Sequence, residues 1–249
     1  MSSPAGPVKP NALKAAARKT ISSVLSSIPP QEFERQGSII SDIIAGTAEY
    51  KSSRSVSCYL STPKEISTSP IISRIFQDGK ALYVPRLSKG VMQMVCVTTG
   101  RAGAVTSSVA PNDGCSGGTQ QDVNQFPRDK WLIPTPPSSY ATLAYSGEGS
   151  ALTNPVDLII LPGAAFDPNN LNRLGHGKGY YDKYLDFIKS CVGGNGSSDG
   201  GGGGQGRAAL PYLIGTCMKE QLMKDLPAED HDWKVDMIAV DSGESEIVL

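Results

Sequence analysis

The 249-residue chain lacks several features that would place it quickly. No apolar run approaches the roughly 20 residues needed to cross a bilayer, so no membrane-spanning helix is expected. Neither sign of charge is in excess: 23 Lys and Arg stand against 24 Asp and Glu, a formal net charge of -1. A dedicated nucleic-acid surface is normally basic, and none is expected here. The five cysteines (Cys58, Cys96, Cys115, Cys191 and Cys217) are scattered, with no C-x-x-C pair for zinc or redox chemistry. Free thiols in a reducing cytosol are the simplest account. The first ten residues have neither the apolar core of a secretory signal nor the arginine of a transit peptide. A cytoplasmic location is therefore expected, with a mitochondrial copy left open. No Ser-His-Asp or Cys-His set points to a nucleophilic side chain.

What is present is an alternation of helices and short apolar strands. Asn11 can cap a helix in which Leu13, Ala17, Ile21 and Val24 form one apolar stripe, ended by Pro29-Pro30. A second helix is expected over about 31–49, with Phe33, Ile39, Ile40, Ile43 and Ile44 inward. Residues 55–60 alternate as a strand, with Val56, Cys58 and Leu60 on one face. Further strands are expected at 81–84, 91–98, 154–161, 212–216 and 237–240, and a short helix over 218–226. Such alternation argues for an α/β fold whose central sheet is covered on both faces. Residues 1–10 read as a disordered N-terminus. The span 11–249 reads as one domain, with low-complexity insertions at about 100–121 and 193–206 that take no part in catalysis.

The most informative stretch runs Asn172-Arg173-Leu174-Gly175-His176-Gly177-Lys178-Gly179-Tyr180-Tyr181-Asp182. An apolar run from Val156 to Leu161 precedes it and ends at Pro162-Gly163. Behind it, Tyr181, Tyr184, Leu185 and Ile188 recur at helical spacing. The expected layout is buried strand, glycine loop, helix. Backbone without Cβ atoms wraps closely around a ligand. A helix start offers free N–H groups and the positive end of a dipole, which favours phosphate. Arg173 and Lys178 add charge, and Asp182 in the first turn is placed to hold a divalent cation. The spacing is neither the Walker pattern nor G-x-G-x-x-G. A tight turn followed by a dipole-matched Asp182 is an equally open reading of the same residues.

Pro162-Gly163-Ala164-Ala165-Phe166-Asp167, followed by Arg173 to Asp182, resembles the signature of the 5-formyltetrahydrofolate cyclo-ligase family, the methenyltetrahydrofolate synthetases. The likeness covers roughly 13–98 and 126–241. It implies a three-layer α/β/α sandwich with a central, mostly parallel sheet, related to sugar-phosphate isomerases and CoA transferases. It implies ATP- and Mg2+-dependent conversion of 5-formyltetrahydrofolate to 5,10-methenyltetrahydrofolate, with release of ADP and phosphate. The ATP site it implies consists of Lys14, Arg18, Arg173, Leu174, Gly175, His176, Gly177, Lys178, Gly179, Tyr180 and Tyr181. Of these, Lys178, Arg173 and Tyr180 are implied as catalytic. The folate site implied is Leu60, Glu65 and Trp131 together with His176, Gly177, Lys178, Gly179 and Tyr180. Asp182 and Asp232 are implied as magnesium ligands. The partners implied are 5-formyltetrahydrofolate and ATP, with no nucleic acid or membrane, and the chain is expected to be a monomer.

Without the family, several of these positions have plainer accounts. Lys14 and Arg18, four apart, read as a solvated basic face. Glu65 reads as an exposed loop glutamate. Trp131 is as readily a packing residue as a stacking platform. Asp232 lies in the acidic run Glu229-Asp230-His231-Asp232, an ordinary solvated turn, with Asp236 close by. Asp157 reads as a strand-start residue, and Arg86 points into a cleft or into water. Asp182 and Asp232 become a pair only if the fold brings them together. The family commonly has Gly-Arg-Gly where this chain has Gly175-His176-Gly177. Arginine is always charged, whereas histidine titrates near ~6.5. ATP affinity is therefore expected to weaken at alkaline pH. Two other classes suit the same fold: a non-catalytic folate- or nucleotide-binding protein, and a sugar-phosphate isomerase needing neither ATP nor acids near the loop.

Overall fold

The computed structural model describes residues 10–98, 118–129, 132–140, 143–145, 155–193, 210–243 and 247–248. The expected frayed N-terminus, most of both insertions and Trp131 lie outside these residues. Five parallel strands form the centre of the sheet: β1 (Ser55–Cys58), β2 (Ala81–Ser88), β4 (Leu158–Leu161), β7 (Tyr212–Cys217) and β8 (Met237–Val240). Two antiparallel strands close its edges, β3 (Val91–Thr98) beside β2 and β9 (Ile247–Val248) beside β8. The spatial order is β3-β2-β1-β4-β7-β8-β9.

Strand periodicity sends neighbouring residues to opposite faces. Val56, Cys58, Leu158, Ile160, Ile214, Met237 and Ala239 join one core, with α1 (Pro10–Leu25), α2 (Pro30–Gly46) and α4 (Ser69–Gln77) packed on it. Ile159, Leu161, Leu213, Ile238 and Val240 join the other, under Tyr184, Leu185 and Ile188 of α6 (Tyr180–Gly193). Covered on both faces, β4 (Leu-Ile-Ile-Leu) and β8 (Met-Ile-Ala-Val) are continuous apolar runs, as buried parallel strands tend to be. The expected three-layer α/β/α sandwich is therefore found.

Several local expectations change. The helix expected over 31–49 is two, α2 and α3 (Ala48–Ser52), because Thr47 caps the second through a bond from the Tyr50 N–H. The first helix begins at Pro10, so Asn11 lies inside it; proline suits a first helical turn. Its inward face runs Lys14, Ala17, Ile21 and Leu25, while Leu13 and Val24 are exposed. The 218–226 segment forms only a 3-10 turn at Lys219–Gln221. Beyond it the Met223 N–H bonds the Phe166 carbonyl and the Leu226 N–H bonds Asp167 Oδ2, so the chain pairs outward and does not wind on. A fifth short helix, α5 (Gln120–Asn124), carries a Thr119–Asp122 capping box. Cys58, Cys191 and Cys217 are free thiols, but Cys96 is disulfide-bonded. Spacing along a chain does not say which thiols a fold brings together.

The topology points to a site. From β1 the chain moves outward to β2 on one side, while β4, β7 and β8 build on the other. The order reverses between β1 and β4. In open α/β sheets, ligands bind beyond the carboxyl ends of the strands at such a reversal.

Candidate functional site

Two segments leave the carboxyl edge of the sheet at the reversal point. The first follows β1. Tyr59, buried, donates its hydroxyl to the Ile66 carbonyl at 3.0 Å and lies 2.9 Å from Thr216 Oγ1. Ser61 and Thr68 bond each other's backbone and side chain. Leu60 is buried in the core. Glu65 is not the exposed loop residue its surroundings in sequence suggest: its side chain is only 16% exposed, and Oε2 accepts the Thr62 N–H at 2.8 Å. Burial alone would push this carboxyl up. His176 and the Thr62 N–H outweigh that and hold it below its ordinary value.

The second segment follows β4. The expected strand, glycine loop and helix are all present, but a small hairpin intervenes, β5 (Ala165–Phe166) with β6 (Arg173–Leu174). Asp167 is fully buried at its turn and bonds the Asn169 and Leu226 N–H groups. Arg173, expected as charge flanking the loop, lies beneath it. Its side chain is 3% exposed and pairs with Asp182 at 2.9 Å, and its guanidinium lies over the Tyr181 ring at 5.7 Å. The loop itself is exposed at His176, Gly177 and Lys178. Gly177 and Gly179 have φ of 94° and 64°, conformations that side chains rarely adopt. A Cβ at Gly177 would stand 3.4 Å from the Arg18 guanidinium carbon. Arg18 in turn donates from Nε to the Gly175 carbonyl at 2.7 Å, fastening the loop's start to α1. The two segments meet where His176 Nε2 lies 3.3 Å from Glu65 Oε1.

The acidic residues gather beside the start of α6. Asp182 Oδ1 accepts from Arg173 and also from the Trp233 N–H at 3.2 Å. Asp232 precedes Trp233, so the acidic turn that carries it adjoins Asp182 through this backbone bond. Lys14 is not a solvated base: it is 5% exposed and donates to Asp232 Oδ2 at 2.6 Å and Glu229 Oε2 at 2.7 Å. Burial pulls its ammonium down, but the two carboxylates outweigh this and raise it above its ordinary value. Burial likewise pushes the Asp232 carboxyl up; Lys14 and the Glu229 N–H outweigh this and lower it. Asp236 is tied to the sheet, its carboxylate accepting the Leu213 N–H at the start of β7. Asp157 is a strand-start tie, accepting the Arg54 and Ser55 N–H groups. Arg86, half-buried, bonds the Tyr140 carbonyl at 2.8 Å. Among the described residues no group of three or more His, Cys, Asp or Glu is arranged to hold a metal by itself.

One feature was not legible in the sequence. A cavity of about 450 Å³ lies between β3 and α6, lined by Met92, Met94, Tyr145, Tyr180, Lys183 and Phe187 among others. Tyr180, which ends the glycine loop, belongs to its wall. The spacing of Tyr180, Lys183 and Phe187 along one helix face was the available signal, but nothing in β3 marked its partner wall.

A family model described as the 5-formyltetrahydrofolate cyclo-ligase family matches residues 10–241. The chain belongs to this family. It is an enzyme, a ligase of folate one-carbon chemistry. A mouse protein named 5-formyltetrahydrofolate cyclo-ligase is 29% identical over 235 residues, covering 92% of this chain and 93% of that one. The Saccharomyces cerevisiae protein of the same name is 27% identical over 233 residues, covering 93% and 97%. The NMR structure of Aquifex aeolicus 5,10-methenyltetrahydrofolate synthetase superposes with a TM-score of 0.58 at 21% identity, covering 92% of this chain and 90% of that one. This last likeness establishes the shared cyclo-ligase fold.

Proposed function

We propose that the enzyme uses ATP and Mg2+ to convert 5-formyltetrahydrofolate into 5,10-methenyltetrahydrofolate, releasing ADP and phosphate. The contact between Glu65 and His176 carries this reading, because it joins the proposed folate segment to the proposed phosphate loop at the sheet's reversal point. Glu65 is a buried, ionised acceptor suited to the N–H edge of a pterin. Leu60, buried after β1, and the cavity walled by Tyr180, Met92 and Met94 at the end of the loop are the apolar surfaces proposed for the folate.

A formamide oxygen is a poor leaving group. In the proposed sequence the formyl oxygen attacks the γ-phosphorus of ATP, and the bond to ADP breaks. Nitrogen N10 then attacks the formyl carbon, the carbon–oxygen bond breaks, and phosphate leaves carrying the former formyl oxygen. The N10 proton is lost as the ring closes. The protein's part is positioning and charge stabilisation. Gly175, Gly177 and Gly179 let the backbone approach the phosphates, and Lys178, with Lys14 and Arg18 from α1, neutralises their charge. Arg173 acts from below, holding Asp182 at the start of α6. Leu174, Tyr180 and Tyr181 support the loop from its two ends.

The donor chemistry suits magnesium: Asp182 and Asp232 are hard oxygen donors on adjoining segments near the glycine loop. Asp182 and Asp232 would hold the cation, which would supply positive charge against the phosphates. The proposal includes a cytoplasmic monomer without nucleic-acid or membrane partners; no helix among the described residues is long and apolar enough to cross a membrane. The test is isotopic. With oxygen-18 in the formyl group, the label is expected in the released phosphate. Label recovered in water instead would overturn the phosphorylated intermediate.

A further inference from the structure

Both acids of the proposed magnesium site are already paired with cations of the chain itself. Asp182 is held by Arg173, and Asp232 shares Lys14 with Glu229. The Lys14 arrangement is the tighter, because one buried ammonium serves two carboxylates. It also lies on the face of α1 that carries Arg18, whose guanidinium reaches the glycine loop. Lys14 and Arg18 thus stand one helical turn apart, the first on the Glu229–Asp232 pair and the second on the proposed phosphate loop.

We propose that Lys14 stands in for the divalent cation, holding Glu229 and Asp232 until metal and nucleotide arrive together. A bare cation at Asp232 would have to take one of the two carboxylates that hold a buried ammonium, which is unfavourable. A metal–nucleotide complex brings its own anion, so Lys14 passes to phosphate as the metal takes the carboxylate. Metal and nucleotide then bind as one ligand, and Glu229 is the residue that positions Lys14 in their absence. This inference rests on the MgATP site proposed above.

The test measures Mn2+ binding by electron paramagnetic resonance, with and without a non-hydrolysable ATP analogue. Wild-type protein is expected to bind Mn2+ tightly only with the nucleotide. Lys14→Gln, which keeps a hydrogen-bond donor without the charge, is expected to bind Mn2+ alone about tenfold more tightly than wild type and to lose nucleotide affinity. Lys14→Arg is expected to exclude free Mn2+ as wild type does. No gain in Lys14→Gln would overturn the inference while leaving the site reading intact. If that variant does not fold, wild type decides: Mn2+ bound equally well with and without nucleotide, and lost in Asp232→Asn, overturns it too. Failure of wild type to bind the Mn2+–nucleotide complex at all overturns the site reading and this inference with it.

Discussion

The two segments at the sheet's reversal point are built in opposite ways. The segment after β1 is closed on itself: Tyr59, Ser61, Thr62 and Thr68 bond within it, and Glu65 is buried and fixed by the Thr62 N–H. The glycine loop before α6 is exposed and fastened from outside, by Arg18 at Gly175 and by Glu65 at His176. The difference suits the two proposed ligands. A flat heterocycle is read by fixed donors and acceptors, whereas a triphosphate is met by backbone and mobile cations.

The largest effect should come from the loop's exposed cation. Lys178→Met is expected to leave the melting temperature unchanged and to lower kcat/KM by roughly 10²–10³. A comparable fall in stability would mean that the loop is a structural element after all. On the other side, Glu65→Gln should raise the KM for the folate by about tenfold or more, as loss of a charged acceptor implies, with a smaller change for ATP. Equal changes for both substrates would erase the distinction between the segments. Tyr59→Phe leaves buried partners on Thr216 and Ile66 without their hydroxyl. It should cost about 1–3 kcal/mol in urea melts, where Lys178→Met would not.

The smallest effects lie at the contact between the segments. Because the folded-state pKa of Glu65 is lowered, its ionised form contributes stability that is complete above the ordinary carboxylate value and lost as the pH falls through the lowered one. His176→Ala removes a cause of that lowering. Its acid loss of stability should be smaller than in wild type and complete at a higher pH, seen in urea melts between roughly pH 3 and 5. His176→Arg should flatten the alkaline pH dependence of the KM for ATP. An unchanged profile would show that the histidine's charge does not reach the nucleotide.

The glycine loop, the helix behind it and the buried strand before it were legible because each has a local cause: missing Cβ atoms, helical spacing and an unbroken apolar run. The sandwich followed from their alternation. Lys14 was not legible as a buried residue, because its partners Glu229 and Asp232 are more than 200 positions away. They draw the lysine inward and rotate the face of α1, leaving Leu13 and Val24 outside. The β5–β6 hairpin escaped for a related reason. Its two-residue strands are too short for a periodicity and are held by Gln221, which bonds the Gly163 and Ala164 carbonyls from another segment. The cavity between β3 and α6 likewise exists only once two remote elements pack.

The most direct measurement of the central claim, that a folate and ATP react where the two segments meet, is the absorbance of methenyl-folate. Purified protein is mixed with 5-formyltetrahydrofolate and Mg2+, with and without ATP. The account predicts that the band grows only when ATP is present. Growth without ATP, or none despite measurable binding of both ligands, would contradict it.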